Sequence, residues 1–485
     1  MMTRRTALRL TVLGGASIAA RAGISPMAAM APMRTDAIPR FTLPLKLPAV
    51  LEPTVRTPTQ DEYTIVQREA AQEILPGRVT KIWGYQGTFP GPTLRVRRNR
   101  PIVVRQTNQL STPTAVHLHG GVNPPDSDGF AADTVMPGAS RTYTHPNRQR
   151  AATLWYHDHA MDMTGENVLR GLAGFYIVED DEEQSLPLPR GPFDVPLLIQ
   201  DRTFNADGSF AYDTVRHMGF EGEVMLVNGV PWPKMEVSTR KYRFRLLNGS
   251  NARLLQLALG NTEPITLIGT DGGLLPAPVT ITTLPLAMAE RAEVIVDFSR
   301  YAVRTQVFVT NGLVKSPLTP IMRFDVVKRE TDDAQIPTRL SDPGFLERPK
   351  TAKTRTWTFR PSFSFRELPT PIVWTINGKR FDPNRCDAAV ALGDVELWRF
   401  RNEAPVRFVG SPHPTHVHLA HFQVLERNGK PPLIHERGWK DTVALDIGEE
   451  VLVLLRCEQF RGRYMIHCHN LEHEDHAMMT RFDVT

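Results

Sequence analysis

His467-Cys468-His469-Asn470-Leu471-Glu472-His473-Glu474-Asp475-His476-Ala477-Met478, a stretch near the C-terminus, carries most of the information in this sequence. If its first residues form a β-strand, side chains alternate between the two faces, so His467 and His469 point one way and Cys468 the other. Cys468, His473 and Met478 supply a thiolate, an imidazole and a weak thioether, the soft ligands that favour copper in blue electron-transfer sites. This set still lacks a second imidazole. One strand would then serve two metal sites, joined only through the backbone of Cys468.

Histidines cluster at three further places: His117-Leu118-His119-Gly120, His157-Asp158-His159 and His413-Pro414-Thr415-His416-Val417-His418. A single His-x-His pair beside a cysteine is common among surface and core residues and does not by itself indicate a metal site. Here eleven of the 15 histidines lie in the four clusters, which chance does not explain. Four His-x-His pairs suit three copper ions, because neutral imidazole is a good copper ligand. The side chains of a pair emerge about 6.6 Å apart, which lets them reach neighbouring metals.

Composition and local patterning predict an all-β chain. The 40 prolines and 33 glycines argue against long helices. Alternating apolar and polar residues recur in three stretches, which begin at Pro90, Lys241 and Ala391. Their spacing of roughly 140–150 residues suggests one β-unit used three times. The pattern alone supports either a β-sandwich or a barrel for that unit.

The four histidine clusters resemble, in type and in order, the copper signatures of the multicopper oxidases. The runs HCHNLEHEDHAMM and WYHDHAM are similar to the branch that contains bacterial spore-coat laccases and bilirubin oxidase. The resemblance covers nearly all of the chain after residue 40. It implies an all-β fold of three cupredoxin-like Greek-key β-barrel domains, which we expect at residues 40–182, 190–335 and 352–485.

The expected middle domain contains one histidine, His217, and no cysteine. We therefore predict that it holds no copper and acts as a spacer that helps to dock the outer two domains. Charged stretches at residues 179–183 and 328–353 are predicted linkers, or alternatively long surface loops within a domain. Because the histidine pairs are divided between the first and third domains, their site must lie at an interface, where copper would clamp the domains together.

The resemblance also implies a ligand set for four copper ions, one of type 1, one of type 2 and two of type 3. By motif position the ligands are His413, Cys468, His473 and axial Met478 for type 1, His117 and His416 for type 2, and His119, His157 and His469 for one type 3 ion and His159, His418 and His467 for the other.

This resemblance implies laccase-like catalysis. A small reducing substrate would give single electrons to the type 1 copper at an exposed edge of His473. Cys468 and its flanking histidines would pass them to the three-copper cluster, where four electrons reduce dioxygen to water.

Asp128 and Glu474 match acidic positions that help proton delivery in the resembling branch. The alternative for Asp128 is a turn residue, because Pro124-Pro125-Asp126-Ser127-Asp128-Gly129 has strong turn chemistry. Asp158 is expected to orient a neighbouring ligand.

We expect phenols, aromatic amines or tetrapyrroles such as bilirubin as electron donors. An alternative is a metal-ion oxidase that acts on Cu(I) or Mn(II) in copper tolerance. Met161 and Met163 invite that interpretation, but the sequence has no extended Met-rich insert. A non-catalytic copper-binding protein is a third alternative, against which the complete ligand set argues.

The N-terminus predicts export. Arg4 and Arg5 precede an apolar, small-residue stretch, so that residues 1–31 resemble a twin-arginine signal. The alternative is an ordinary secretory signal. Arg9 and Arg21 interrupt the apolar run, which argues against a membrane span. We therefore expect a periplasmic or extracellular protein whose partners include the export machinery.

Charge and cysteine content argue against a nucleic-acid-binding protein and against a fold that depends on disulfides. The 57 basic and 52 acidic residues give a formal net charge of +5 and predict a surface of mixed charge. The sequence lacks the runs of basic residues interleaved with aromatic ones that are typical of nucleic-acid binding, so nucleic acid is not an expected partner. If Cys468 binds metal, the two remaining cysteines, Cys386 and Cys457, either form one disulfide or are free thiols. The fold therefore does not depend on a disulfide framework.

Overall fold

The computed structural model describes residues 33, 35, 38–213, 218–260, 262–314, 318–364, 372–403 and 411–485. The predicted export signal at residues 1–31 and His217 lie outside these ranges. The described residues form 32 strands and three short α-helices, so the all-β prediction is confirmed. The alternation expected from the sequence is visible in the strand Ile102–Asn108, where every second side chain is buried.

The strands fall into three consecutive units, each built from two sheets. The first unit comprises β1 Val55–Arg56, β2 Asp61–Leu75, β3 Arg78–Tyr85, β4 Leu94–Arg97, β5 Ile102–Asn108, β6 Val116–His119, β7 Ser140–His145, β8 Ala152–Asp158, α1 Thr164–Arg170, β9 Ala173–Glu179 and α2 Asp181–Ser185. The second comprises β10 Asp194–Arg202, β11 Val224–Val227, β12 Val230–Pro231, β13 Lys234–Ser238, β14 Lys241–Asn248, β15 Leu255–Leu259, β16 Ile265–Thr270, β17 Gly273–Ile281, β18 Leu284–Leu286, β19 Arg291–Asp297, β20 Gln306–Asn311 and β21 Pro320–Lys328. The third comprises β22 Thr354–Phe363, β23 Ile372–Ile376, β24 Ala388–Val390, β25 Val395–Asn402, β26 His413–Val417, β27 Phe422–Arg427, β28 Trp439–Lys440, β29 Thr442–Leu445, β30 Glu450–Arg456, β31 Gly462–Cys468, α3 Leu471–Asp475 and β32 Met479–Val484.

The same topology returns in each unit. One sheet contains a parallel pair, which is β2 with β5, β10 with β14, and β22 with β25. The other sheet contains a second parallel pair, which is β4 with β9, β13 with β21, and β24 with β32. Parallel neighbours require a crossover connection, because a tight hairpin can join only antiparallel strands. The threefold sequence repeat therefore corresponds to a threefold repeat of one crossed-over β-unit.

A hydrophobic core fills the space between the two sheets of the third unit. Trp398 and Phe422 come from one sheet, Ile466 and Phe482 from the other, and all four are fully buried. Cys468 belongs to the same cluster. Burying side chains of this size stabilises the fold by about 1.5–3 kcal/mol each. The thiol of Cys468 therefore packs into this core on one face of β31, while side chains on the opposite face of the strand can make other contacts.

A buried ionic network joins the first and second units. Arg243 and Arg245 on β14 both contact Glu183 of α2, at 2.5 Å and 2.8 Å, and Glu293 of β19. Nε of Arg245 donates to Asp194 at 2.8 Å. The stretch at residues 179–183, which we predicted to be a linker, therefore ends in a helix whose Glu183 is buried against the next unit. Between Lys328 and Thr354 the chain forms neither helix nor strand.

Asp194→Asn should destabilise the protein at neutral pH and much less in acid. Burial alone would raise the pKa of Asp194, but Arg245 and Arg243 overcome that effect and lower it from 3.8 to about 2. The stabilisation is therefore complete above pH 3.8 and is lost as the pH falls through 2, and the shift corresponds to about 2 kcal/mol. Thermal unfolding at pH 7 and at pH 3 should show a lower midpoint for the variant, with a gap that narrows in acid. Asp394→Asn, at an exposed position, is the control, and a gap that is constant with pH would contradict the assignment.

Candidate metal centres

Paired strand ends bring the histidine clusters together. In the first unit β6 pairs with β8, so that His117 lies opposite His157. In the third unit β26 pairs with β31, so that His416 lies opposite His467. The other member of each pair lies two residues further along, on the same face of an extended chain. All eight imidazoles are buried, and they converge between the first and third units.

Two groups of imidazoles meet through their Nε2 atoms. Nε2 of His117, from the first unit, lies 3.4 Å from Nε2 of His416 in the third. Nε2 of His467 lies 3.3 Å from that of His159 and 3.0 Å from that of His418. Each group combines histidines from both units, as the sequence predicted. Facing nitrogen lone pairs repel one another unless a proton or a metal cation lies between them.

A third group contains His119, His157 and His469. Their ring centroids lie 5.0 Å, 5.2 Å and 5.7 Å apart. Nδ1 of His119, Nε2 of His157 and both ring nitrogens of His469 are buried without a hydrogen-bond partner among the described residues. Neighbouring groups also share members, since the ligand atoms of His117, His119 and His157 lie within 4.8 Å of one another. The assignment of single rings to single metal ions therefore stays a prediction.

A separate site lies on the opposite face of β31. Sγ of Cys468 lies 3.3 Å from Nδ1 of His413 and 3.5 Å from Nδ1 of His473, and these two nitrogens are 3.2 Å apart. His413 supplies the second imidazole that the C-terminal stretch lacks. Met478 is buried in the same hydrophobic cluster, and its carbonyl accepts a hydrogen bond of 3.1 Å from the amide of Cys468. The structure thus brings His413, Cys468 and His473 together and places the backbone of Met478 beside Cys468, while axial ligation by its thioether stays a prediction.

A short helix returns His473 to Cys468. Asn470 caps α3, and its side chain accepts a hydrogen bond from the amide of His473. Ala477, with φ of 72°, then reverses the chain so that Met478 comes back beside Cys468. The ring of Trp374 stacks on that of His473 with centroids 3.7 Å apart, and His473 is fully buried. The expectation of an exposed edge on His473 was therefore wrong.

The protonation state of these groups fits cationic metals. Burial lowers the pKa of His413, His416 and His159 to about 3, so that these imidazoles are neutral and keep a lone pair for a ligand bond. Burial also raises the pKa of the Cys468 thiol, so that its thiolate needs a cation beside it. Neutral imidazoles that are buried and face one another, together with a thiol of this kind, form a donor set that copper ions satisfy.

Two carboxylates connect imidazoles from different units. Glu474 lies 3.3 Å from Nδ1 of His159 and 3.2 Å from Nδ1 of His467. Asp128 lies 3.2 Å from Nδ1 of His117 and 2.9 Å from Nδ1 of His418. Backbone carbonyls help to fix the tautomers: Nδ1 of His117 donates to the carbonyl of Asp128 at 2.7 Å, and Nδ1 of His467 donates to that of Cys468 at 3.1 Å. In both rings Nε2 is then left for a metal.

Asp128 is both a turn residue and part of the site. Gly129 follows it with φ of 76°, and a Cβ at that position would collide with the carbonyl of Val116. Only glycine therefore lets the turn pack against β6, which places Asp128 beside His117. The carboxylate of Asp158 accepts hydrogen bonds from the amides of Ala115 and Ala160 at 3.0 Å, and its orienting role stays a prediction. These bonds fix the chain on both sides of the histidine clusters of the first unit.

Sequence reasoning missed Asp441 and Arg291. A carboxylate oxygen of Asp441 lies 3.0 Å from Nε2 of His119, and its carbonyl lies 2.9 Å from Nδ1 of His416. Arg291, the first residue of β19 in the second unit, donates to the same carboxylate at 2.8 Å, and both residues are fully buried. The second unit thus positions Asp441, which contacts two predicted ligands, through Arg291, a contact that adds to its predicted role as a docking spacer. Asp441 follows Lys440 in an otherwise apolar stretch, a signal too weak to identify it.

Sequence comparison gives the family. Profiles described as multicopper oxidase match residues 67–183, 155–322 and 348–485. The chain belongs to the multicopper oxidase family. Laccase from Bacillus subtilis (strain 168) is 35% identical to this oxidase, over 92% of this chain and 98% of its own. Bilirubin oxidase from Albifimbria verrucaria is 38% identical, over 92% of this chain and 82% of its own.

Solved structures agree with the fold. The crystal structure of laccase from Pediococcus acidilactici Pa5930 has a TM-score of 0.85 and 31% identity to this oxidase, and the match covers 92% of this chain and 95% of that one. The prediction of three cupredoxin-like domains is confirmed. The oxidase is a laccase-like enzyme that uses copper, a small-molecule reductant and dioxygen.

Two smaller predictions can be compared with the structure. Cys386 is exposed and Cys457 is buried, and both are free thiols, so the disulfide alternative is not realised. Among the described residues, helices are too short or too polar to cross a membrane.

Proposed function

We propose that this oxidase couples the one-electron oxidation of phenols, aromatic amines or bilirubin-like tetrapyrroles to the four-electron reduction of dioxygen to water. One observation carries the proposal: β31 presents Cys468 to one buried donor set and His467 to another, and His469 follows directly. Two metal sites with different ligands are thus joined by a single covalent path. When bound, the copper ions supply the redox chemistry.

Four copper ions are proposed, and the distances above support their ligands. We propose His413, Cys468, His473 and Met478 for type 1, His117 and His416 for type 2, and His119, His157 and His469 together with His159, His418 and His467 for the two type 3 ions. Because the eight histidines proposed for the type 2 and type 3 ions come in equal number from the first and third units, bound metal would clamp these units together.

The carboxylates are proposed to hold protons for the reduction of dioxygen. Glu474 and Asp128 each contact two imidazoles that lie at the proposed cluster. Both are buried, so a proton that reaches the cluster from solvent must pass through fixed groups of this kind. The role of Glu474 rests on its position between His159 and His467, which belong to one proposed type 3 ion.

The reducing substrate is proposed to enter beside the type 1 site. A cavity of about 360 Å³ is lined by Asn470, which caps the helix of His473, and by Pro412, which precedes His413. Because His473 itself is buried, we propose that electrons enter through atoms at this cavity rather than by direct contact with its ring. Met218, Met288 and Leu313 give the cavity an apolar part, which suits aromatic donors.

Oxygen uptake with a panel of donors tests the proposal. The copper-loaded oxidase should consume dioxygen with phenols, aromatic amines and bilirubin, at one dioxygen for four electrons and without release of hydrogen peroxide. Cu(I) and Mn(II) belong in the same panel, since uptake with these ions alone would favour the metal-ion oxidase. A blue, fully loaded sample that consumes no oxygen with any donor would contradict both.

Domain boundaries and export are also proposals. We propose domains at residues 40–182, 190–335 and 352–485, which is supported by the strand ranges of the three units. We further propose that residues 1–31 direct export by a twin-arginine route to the periplasm or beyond, on the basis of Arg4, Arg5 and the apolar stretch that follows.

A further inference from the structure

A cavity of about 300 Å³ lies where the three units meet, apart from the proposed substrate entrance. Its walls include Arg98, Arg148 and Arg150 of the first unit, Gly272 of the second, and Trp439 and Arg456 of the third. None of these six residues is a proposed copper ligand, and the proposed function makes no use of them. The cavity therefore needs an explanation of its own.

The walls of this junction cavity are strongly basic. Four arginines line it against one carboxylate, Glu458, which pairs with Arg456 at 2.8 Å. Arg98 is partly balanced by Asp180 at 3.5 Å. Among the described residues, neither Arg148 nor Arg150 has a hydrogen bond or an ion pair within 4.0 Å. Arg148 is exposed, and the carboxylates of Asp180, Glu182 and Asp342 act on Arg150 only from a greater distance. The excess of positive charge is thus concentrated on two guanidinium groups that lie two positions apart in the chain.

Arg150 is the more enclosed of these two arginines. Its Nη1 atom is buried, and burial lowers the pKa of its guanidinium. Taking a charged group out of water without a partner in direct contact costs free energy, and the more distant carboxylates offset only part of that cost at Arg150. Arg150 therefore points to an anionic partner that is supplied from outside the chain.

We propose that the junction cavity binds a small dianion with carboxylate or phosphate groups, and that Arg148 and Arg150 are its main ligands. The planar guanidinium group pairs with both kinds of oxyanion through two parallel hydrogen bonds. The volume is at the lower end of ligand cavities, which span about 300–1,000 Å³, and this restricts the ligand to a small molecule. Because all three units contribute to the walls, a bound dianion would hold them together at a point separate from the copper cluster.

Isothermal titration of the copper-loaded full chain tests this proposal. Inorganic phosphate and succinate are titrated separately, with sodium chloride keeping the ionic strength constant. We expect one saturable site per chain for at least one of the two probes, and the probe that binds identifies phosphate or a dicarboxylate as the ligand class. Arg148→Gln combined with Arg150→Gln should weaken binding at least about tenfold, since each substitution removes charge-assisted hydrogen bonds.

The matched control is Arg105→Gln, which removes an exposed arginine of β5 in the same unit and should leave binding unchanged. Circular dichroism checks that the double variant is folded. His421 also lines the cavity and lies 3.7 Å from Asp441, which contacts His119, so the type 2 copper signal in electron paramagnetic resonance is recorded with phosphate. No saturable binding of either probe, equal binding by the double variant, or phosphate bound at copper instead would overturn the proposal.

Discussion

Cys468→Ser should abolish both the intense visible absorption and the oxygen uptake of this oxidase, while the histidine cluster still takes up metal. The visible band of a blue copper site arises from the thiolate ligand, and Sγ of Cys468 lies within 3.5 Å of Nδ1 of both His413 and His473. A serine hydroxyl is not a soft ligand and is not ionised beside neutral imidazoles. Copper analysis should therefore find three ions per chain instead of the proposed four.

Cys457→Ser is the matched control for this experiment. Cys457 is also a buried thiol of the third unit and belongs to the same hydrophobic cluster, so its replacement imposes a similar packing change. It should retain the visible band and oxygen uptake. A band that survives in Cys468→Ser, or that is lost equally in both variants, would place the type 1 site elsewhere or reduce the effect to general destabilisation.

The parts of the site that the sequence predicted depend on local geometry. A strand alternates its side chains, so Cys468 and its flanking histidines had to serve opposite faces once β31 was a strand. His473 and Met478 were expected as ligands from their positions in the motif. The cap at Asn470 and the reversal at Ala477, which return them to Cys468, are findings of the structure.

The parts that the sequence did not predict depend on contacts between distant segments. Asp441 and Arg291 are 150 positions apart, and neither stands out in its sequence, since Asp441 lies between β28 and β29 and Arg291 begins β19. Their importance comes from burial beside His119, which only the packing of the second unit against the third produces. The burial of His473 is a similar case, because Trp374 that covers it comes from β23. Alternation within a strand gives the direction of a side chain but not what is packed against it.

The contacts between carboxylates and imidazoles depend both on the local sequence and on the packing of distant segments. Glu474 follows His473 in the sequence, yet it contacts His159 from the first unit and His467 from its own. A carboxylate within 3.3 Å of two ligand rings can accept a proton and return it without leaving its position.

Glu474→Gln should lower turnover with dioxygen by about 10²- to 10⁴-fold, the range typical for loss of a proton-transferring group. Glutamine has nearly the same shape, but its neutral amide cannot accept a proton near pH 7 as a carboxylate can. The visible band should remain, because Cys468, His413 and His473 are untouched. In stopped-flow experiments, anaerobic bleaching of this band by a phenol should keep its rate, whereas recovery of the band with dioxygen should become slow.

Asp475→Asn separates this effect from a disturbance of the helix. Asp475 is the next residue of α3, is also enclosed, and accepts hydrogen bonds from the amides of Thr164 and Gly165, but it contacts none of the predicted ligands. Burial and the neighbouring Glu474 raise its pKa well above the usual range, so an amide resembles its neutral form. Turnover by Asp475→Asn should stay near that of the parent. If Glu474→Gln loses copper in metal analysis, or if band bleaching and recovery slow to the same extent, Glu474 acts by holding ligands in place and not by proton transfer.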